Sequence, residues 1–385
     1  YKTNIEVHIM ELLVIGNGFD IAHGLPTKYN DFTCFLRCLT RRNNWESGQW
    51  FRKSNTEFGE SYPQVINLIK LAYYEQPGNL SPVAAKLAEV LGNAINTQNI
   101  WVKILSMYDL SKQSERWVDC EEMIYVVISS LENSPSVLDP VTISLTALIG
   151  KCEHICITRN PDTLFKQLDE LKTLFDLYLQ LMFENQKNIS NTLNFFEEKK
   201  FDYVLSFNYT DTYERIYKIN EKGTESKKAR ESYIHGRIRN DPDSSVNIVL
   251  GIHDSLEEPL CNTNLEYAQF KKYFQRIICK TGAEYQNWFQ KIDKENGRRG
   301  GCTNNHELKN TTIFGHSLDV TDKDILKDII LQSSQTTIYY HEPKEHTSEV
   351  LNSYILNLIQ ILGKEILIQL TNSDKLIFKP TSALS

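Results

Sequence analysis

A chain of 385 residues, 41% hydrophobic and 11% aromatic, is long enough for two or three domains and apolar enough to fold. Its formal net charge of −7 argues against a surface built broadly for nucleic-acid backbones, and no apolar run approaches a membrane span. Eight cysteines in so long a chain do not make a disulfide scaffold. Cys34-x3-Cys38 and Cys152-x3-Cys156, with His154 inside the second pair, lack the four workable ligands of a zinc site. They read as buried thiols in a reducing cytoplasm, with no metal expected and no membrane partner.

Tyr1 to Ile9 is mixed and polar, unlike a secretory signal, and Met10 directly precedes the first strand. Residues 1–9 therefore read as a leader or an expression remnant. Leu12 to Ile15 is an unbroken apolar run, as in a strand buried on both faces. Gly16, Asn17 and Gly18 follow, then Phe19 to His23 as the first turn of a helix, broken by Gly24, Leu25 and Pro26. Strand, glycine turn and helix N-terminus make an anion cradle, because N–H groups and the helix dipole face the ligand. A plain tight turn explains a lone G-x-G equally well.

Helical spacing continues at Tyr29 to Thr40, Tyr62 to Tyr74, Pro82 to Ile95 and Asn99 to Tyr108, with a loop over Arg41 to Ser61. At Trp117-Val118-Asp119-Cys120-Glu121-Glu122, Asp119 is placed to cap the helix that carries MIYVVISSL, with Glu122 completing a capping box. Pro161 to Glu198 is long and helical, with Leu164, Leu168, Leu171, Leu174 and Phe175 on one face. Residues 41–200 thus read as a mainly helical insertion.

The next strand is Phe201 to Phe207, with Asn208-Tyr209-Thr210-Asp211 just past its end. Asp211 or Thr210 is also a natural cap for the helix Thr212 to Ile219. Ser232 to Gly236 reads as a short strand ending in His235-Gly236, and Val246 to Gly251 as another, followed by His253-Asp254. Leu265 to Lys280 reads as a helix that buries Phe270, Tyr273, Phe274 and Ile277 and exposes the basic strip Lys271, Lys272, Arg276 and Lys280. Glu284 to Ile292 is helical and Asn296 to Asn305 a loop. Thr311 to Phe314 is a strand ending in Gly315-His316-Ser317, with the helix Asp322 to Leu331 behind it. Thr336 to Tyr340 is a strand, Ser348 to Leu362 a helix closed by Gly363, and Lys375 to Phe378 a last strand.

The strand-tip signals then number five: Gly16-x-Gly18, Asn208, His235-Gly236, Gly251 with His253-Asp254, and Gly315-His316-Ser317. A doubly wound, mostly parallel sheet brings all of them to one edge. The expected fold is α/β: a Rossmann-like domain formed by 10–40 and 201–385, with the helical insertion 41–200.

VIGNGFDIAHGLPTKY, W-x-D-x-E, SFNYTDT, IHG and FGHSLDVTD together resemble the abortive-infection family AbiH, a bacterial anti-phage group. The spacing of Gly16-Asn17-Gly18, Gly24-Leu25-Pro26, Asn208, His235-Gly236 and Gly315-His316-Ser317 also resembles the sirtuins. This chain departs from them at Asn208-Tyr209-Thr210, where Asp211 falls one position late, and in having no four-cysteine zinc ribbon. These resemblances imply a sirtuin-like fold and hydrolysis of NAD+ at the nicotinamide–ribose bond, with NAD+ as substrate. His235 and Asn208 would be catalytic. Gly16, Asn17, Gly18, Phe19, Asp20, Gly24, Pro26, Asp211, Gly315, His316 and Ser317 would bind the nucleotide, with Asp119 and Glu121 at the pocket rim. Asp20 or Glu121 would offset positive charge on the ribose. The alternative is an NAD+ or ADP-ribose-type sensor without turnover. A homo-oligomer and a phage-derived or partner-protein trigger are compatible with both. A nuclease would need an acidic metal cluster, and Asp319, Asp322 and Asp324 read instead as loop and helix-start residues.

Overall fold

In a computed structural model of the chain, the described residues are 10–40, 81–92, 99–107, 118–134, 138–146, 154–185, 193–217, 229–252, 265–288, 309–341 and 347–384. Residues 1–9, the 62–74 helix, the 41–61 and 296–305 loops and His253-Asp254 lie outside them. The described strands are β1 (Met10–Ile15), β2 (Val141–Ser144), β3 (His154–Ile157), β4 (Tyr203–Ser206), β5 (Arg230–Tyr233), β6 (Gly236–Arg237), β7 (Asn247–Ile248), β8 (Lys309–Phe314), β9 (Gln335–Tyr340) and β10 (Leu376–Pro380). The helices used below are α1 (Asn17–Ala22), α2 (Tyr29–Thr40), α3 (Pro82–Gly92), α4 (Ile100–Met107), α5 (Val118–Glu132) and α6 (Pro161–Asn185). After them come α7 (Asn194–Glu198), α8 (Thr212–Tyr217), α9 (Lys272–Cys279), α10 (Lys323–Gln332), α11 (Thr347–Leu362) and α12 (Lys364–Asn372).

The chain divides into two compact units, one of residues 1–25, 189–237 and 280–385, the other of 26–188 and 238–279. The first holds a six-stranded sheet in the order β10-β9-β8-β1-β4-β5. Every pairing in it is parallel. The mixed α/β class with a parallel sheet is therefore as expected. β1 sits centrally because it is apolar on both faces. Leu12 and Val14 join a core with Leu205, Ile313, Ile338 and residues of α10 and α11. Leu13 and Ile15 join the opposite core with Phe19, Val204, Phe314, Phe196 and Tyr217. Fully burying a side chain of this size is worth about 1.5–3 kcal/mol, so both layers are strongly held.

The register fixes what meets at the C-terminal edge. Phe314, Ile15, Ser206 and Tyr233 form one row, each paired with its neighbour. Two residues beyond that row stand His316, Asn17, Asn208 and His235.

The second unit is mainly helical, with α2 to α6 and α9. Phe32, Phe35, Phe175 and Tyr178 stack within it, and Tyr178 donates its hydroxyl hydrogen to Pro26 O at 2.7 Å. Asn99 caps α4 through Oδ1, accepting from Trp101 N and Val102 N. The unit also contains the antiparallel pair β2–β3, which the helical pattern of 41–200 does not foretell.

Two local expectations change and a third holds. Asp119 falls inside the first turn of α5, which starts at Val118, so it is not the residue before the helix; its side chain lies outside the description. The 246–251 segment forms only the two-residue β7 and is not a strand of the parallel sheet. Gly363, at φ +87°, closes α11 at Leu362 as expected, and α12 follows at once.

The helix at 272–279 is turned the other way from its expected face. Lys272 and Gln275 are buried, while Tyr273, Phe274 and Ile277 are exposed. Lys272 Nζ lies 2.8 Å from Glu121 Oε1, and the Gln275 amide both accepts from Leu250 N and donates to Leu250 O. These specific partners outweigh the burial of those three apolar side chains.

Candidate functional site

The site lies in the first unit, past the C-terminal ends of β1, β4, β5 and β8, where the sheet reverses winding between β1 and β8. Open parallel sheets bind ligands at such a reversal. The loop after β1 and the loop after β8 are locked backbone to backbone. Gly18 N donates to Gly315 O at 2.8 Å and Gly16 N to Phe314 O at 3.2 Å. A Cβ on Gly16 would lie 2.6 Å from His316 Cα, and one on Gly18 2.7 Å from Gly315 Cα. Gly315 itself has φ +69°, a conformation that favours glycine. The glycines are thus required by close packing of two loops.

This changes the expected anion cradle. Gly16, Gly18 and Phe19 all direct their N–H groups to protein carbonyls, the last to Gly16 O at 2.8 Å. Gly24 serves a different end. At φ +81° it closes α1, with Gly24 N donating to Ile21 O and Leu25 N to Asp20 O. That pair of bonds satisfies the last carbonyls of the helix. Pro26 belongs to the second unit, where its carbonyl receives Tyr178.

The histidines stand otherwise. His235 Nε2 lies 3.2 Å from Asp322 Oδ1, and His316 Nε2 lies 3.6 Å from Asp322 Oδ2. All three residues are buried. Leu318 N donates to His316 Nδ1 at 2.9 Å, so in neutral His316 the proton sits on Nε2, toward the carboxylate. On His235 it is Nε2 that stands next to that carboxylate. Phe207 packs its ring against both imidazoles, with centroids 4.4 Å from His316 and 5.7 Å from His235. His316, whose backbone crowds Gly16, and His235 stand on either side of the Asp322 carboxylate.

Asp322 was the residue the sequence hid. It occupies the position before α10, where a carboxylate ordinarily caps the helix, yet its side chain makes no such bond. Asp319 instead caps the preceding turn, accepting from Thr321 N at 2.9 Å.

A second polar group centres on Asp20. Thr210 Oγ1 donates to Asp20 Oδ2 at 2.6 Å, and Thr212 Oγ1 donates to Thr210 Oγ1 at 3.0 Å. Burial pushes the Asp20 carboxyl up to about 7, against the opposing pull of Thr210, Thr212 and Asn208, with the charge of Asp211 adding to the rise. Asp20 Oδ1 and Asn208 Nδ2 are buried without a hydrogen-bond partner. Asp211 is held by Arg215, with Nε 2.5 Å from Oδ1. Ser317 is half-buried and its carbonyl accepts from Asn357.

Other expected members belong to the second unit or have partners of their own. Glu121 is in the second unit and is neutralised by Lys272. Gly251 is also there, with a virtual Cβ 2.3 Å from Phe270 O. His23 donates from Nδ1 to Phe19 O and accepts the Tyr217 hydroxyl at Nε2, each at 2.6 Å. Burial lowers its pKa, so it is a neutral core histidine. Cys156 is exposed, Cys34 and Cys279 are half-buried and Cys120 is buried, all as free thiols. Among the described residues no group of three or more His, Cys, Asp or Glu side chains could hold a metal ion, and no helix is long and apolar enough to cross a membrane.

The sequence profile described as "Bacteriophage abortive infection AbiH" matches residues 12–341. The chain belongs to the AbiH family. An anti-phage, abortive-infection role goes with that membership. The AbiH match spans β1 through β9 and so includes every residue of the His235–Asp322–His316 group. No curated protein and no solved structure shows a significant match.

Proposed function

We propose that this AbiH protein acts in phage defence by hydrolysing NAD+ at the nicotinamide–ribose bond. The observation that carries the reading is the His235–Asp322 contact of 3.2 Å at the C-terminal edge of a parallel sheet. It is a histidine base with a carboxylate behind it, the arrangement that proton abstraction needs. The strand order supports a dinucleotide-type ligand. Counted along the sheet's own six strands, β10-β9-β8-β1-β4-β5 is the doubly wound Rossmann order 3-2-1-4-5-6 read from its far end. The free thiols suit a cytoplasmic location.

In this mechanism water attacks C1′ of the ribose. The C1′–N bond breaks with its electron pair going to nicotinamide, which leaves neutral and needs no acid. The water proton passes to His235 Nδ1, and Asp322 stabilises the resulting imidazolium. Asn208, whose Nδ2 is buried without a hydrogen-bond partner, orients the water or the ribose hydroxyls. Asp20 in its ionised form offsets the positive charge that develops on the sugar, while Ser317 and His316 line the adenosine side.

The test is nicotinamide release from NAD+ by purified protein, with His235→Ala and Asn208→Ala beside it. Release that stops in both variants supports the assignment. Release that survives both rejects it. Tight NAD+ binding with no product would favour a sensor that binds the nucleotide without turnover.

A further inference from the structure

We infer that the site, on the glycohydrolase reading above, selects the nicotinamide–ribosyl half of its substrate and makes little use of the diphosphate. Nicotinamide riboside, which carries no phosphate, is then a substrate alongside NAD+. Three features of the first unit lead there.

The first is the fate of the turn's donors. A glycine turn holds a diphosphate by aiming N–H groups at it. Here Gly16, Gly18 and Phe19 aim theirs at Phe314 O, Gly315 O and Gly16 O. The second is space. The positions where Cβ atoms of Gly16 and Gly18 would stand lie within 2.6–2.7 Å of His316 Cα and Gly315 Cα. The room that glycine leaves for a phosphate in a nucleotide loop is taken by the neighbouring loop's backbone.

The third is charge. Asp20 and Asp322 are buried at this edge, and Arg215 of the adjacent helix α8 is bound to Asp211. Carboxylates in a buried site repel a diphosphate and favour a cation. The nicotinamide ring nitrogen is cationic before the bond breaks, and the sugar carries positive charge while it breaks. The diphosphate of NAD+ then contributes equally little to ground state and transition state.

The experiment compares nicotinamide release from NAD+, nicotinamide mononucleotide and nicotinamide riboside by the full-length protein, with His235→Ala as control. We expect kcat/KM for the riboside within about tenfold of that for NAD+, since loss of well-made charged phosphate contacts would cost far more. Cleavage of NAD+ with the riboside slower by about a thousandfold or more overturns this inference and leaves the NAD+ reading intact. If none of the three is cleaved, the glycohydrolase reading fails and calorimetry decides the selectivity. Riboside binding within about tenfold of NAD+ supports it. ADP-ribose binding without riboside binding, or no binding of either, overturns it.

Discussion

Asp322 Oδ1 stands 3.2 Å from His235 Nε2, although 87 residues of chain separate them. The strand register brings them together: His235 is two residues past Tyr233 and His316 two past Phe314, and Asp322 follows on the loop into α10. Asp322→Asn keeps the shape and removes the charge that holds the imidazole in one tautomer. We expect nicotinamide release to fall about 10³–10⁴-fold, as when a histidine base loses its carboxylate elsewhere. The melting temperature should change by only a few degrees. An Asp322→Asn protein at near wild-type rate would remove Asp322 from the chemistry.

Asp20 makes stability depend on pH. Its carboxyl is raised from 3.8 to about 7 by burial. The folded state therefore holds the proton more tightly than the unfolded chain. The stabilisation is fully present below the unfolded value and is lost as pH rises through the folded value. Across that window the loss is on the order of 4 kcal/mol. We expect the melting temperature to fall between pH 5 and pH 8, and Asp20→Asn to flatten the slope. An unchanged slope in Asp20→Asn would assign the dependence to other groups.

Two glycines separate strain from packing. Gly315 and Gly363 have φ of +69° and +87°. A Cβ at Gly315 would meet Phe19 N at 2.3 Å, whereas at Gly363 it meets nothing within 4 Å. Gly363→Ala should cost about 1–2 kcal/mol from backbone strain alone. Gly315→Ala should cost about 1–3 kcal/mol more, because the two loops must part. Chemical denaturation measures both; equal losses would show that the loops part freely.

Tyr217 tests the clamp on α1. Its hydroxyl accepts from Leu193 N at 3.1 Å and donates to His23 Nε2 at 2.6 Å. Tyr217→Phe leaves both buried groups unpaired and should cost about 1–3 kcal/mol. His23 adds a pH effect of the opposite sign to Asp20. Its pKa is lowered below 6.5, so its stabilisation is present above that value and is lost as pH falls below it. A Tyr217→Phe protein as stable as wild type would show the clamp to be slack.

The centre of the sheet was legible because β1 and β4 are short, largely apolar runs closed by Gly16 and Asn208, and a parallel sheet collects such ends at one edge. Asn208, His235 and His316 were expected at one edge for that reason, and the register places them there. Asp322 was not, since a carboxylate before a helix is ordinarily a cap, and sequence spacing does not tell that its side chain leaves α10 uncapped and stands by two histidines instead. The glycine turn was read as a phosphate loop because two glycines near a helix start serve either a ligand or a neighbouring backbone; only the position of Gly315 distinguishes them. The α9 helix shows the same limit: its period is right, but partners distant in sequence, Glu121 and Leu250, decide which face is buried.

The central claim is tested most directly by incubating NAD+ with wild-type protein and with His235→Ala, and measuring nicotinamide and ADP-ribose together. We expect the two products in equal amounts from the wild type and neither from the variant. Intact NAD+ after incubation with the wild type, or equal product from both proteins, would contradict the assignment of His235 as the base.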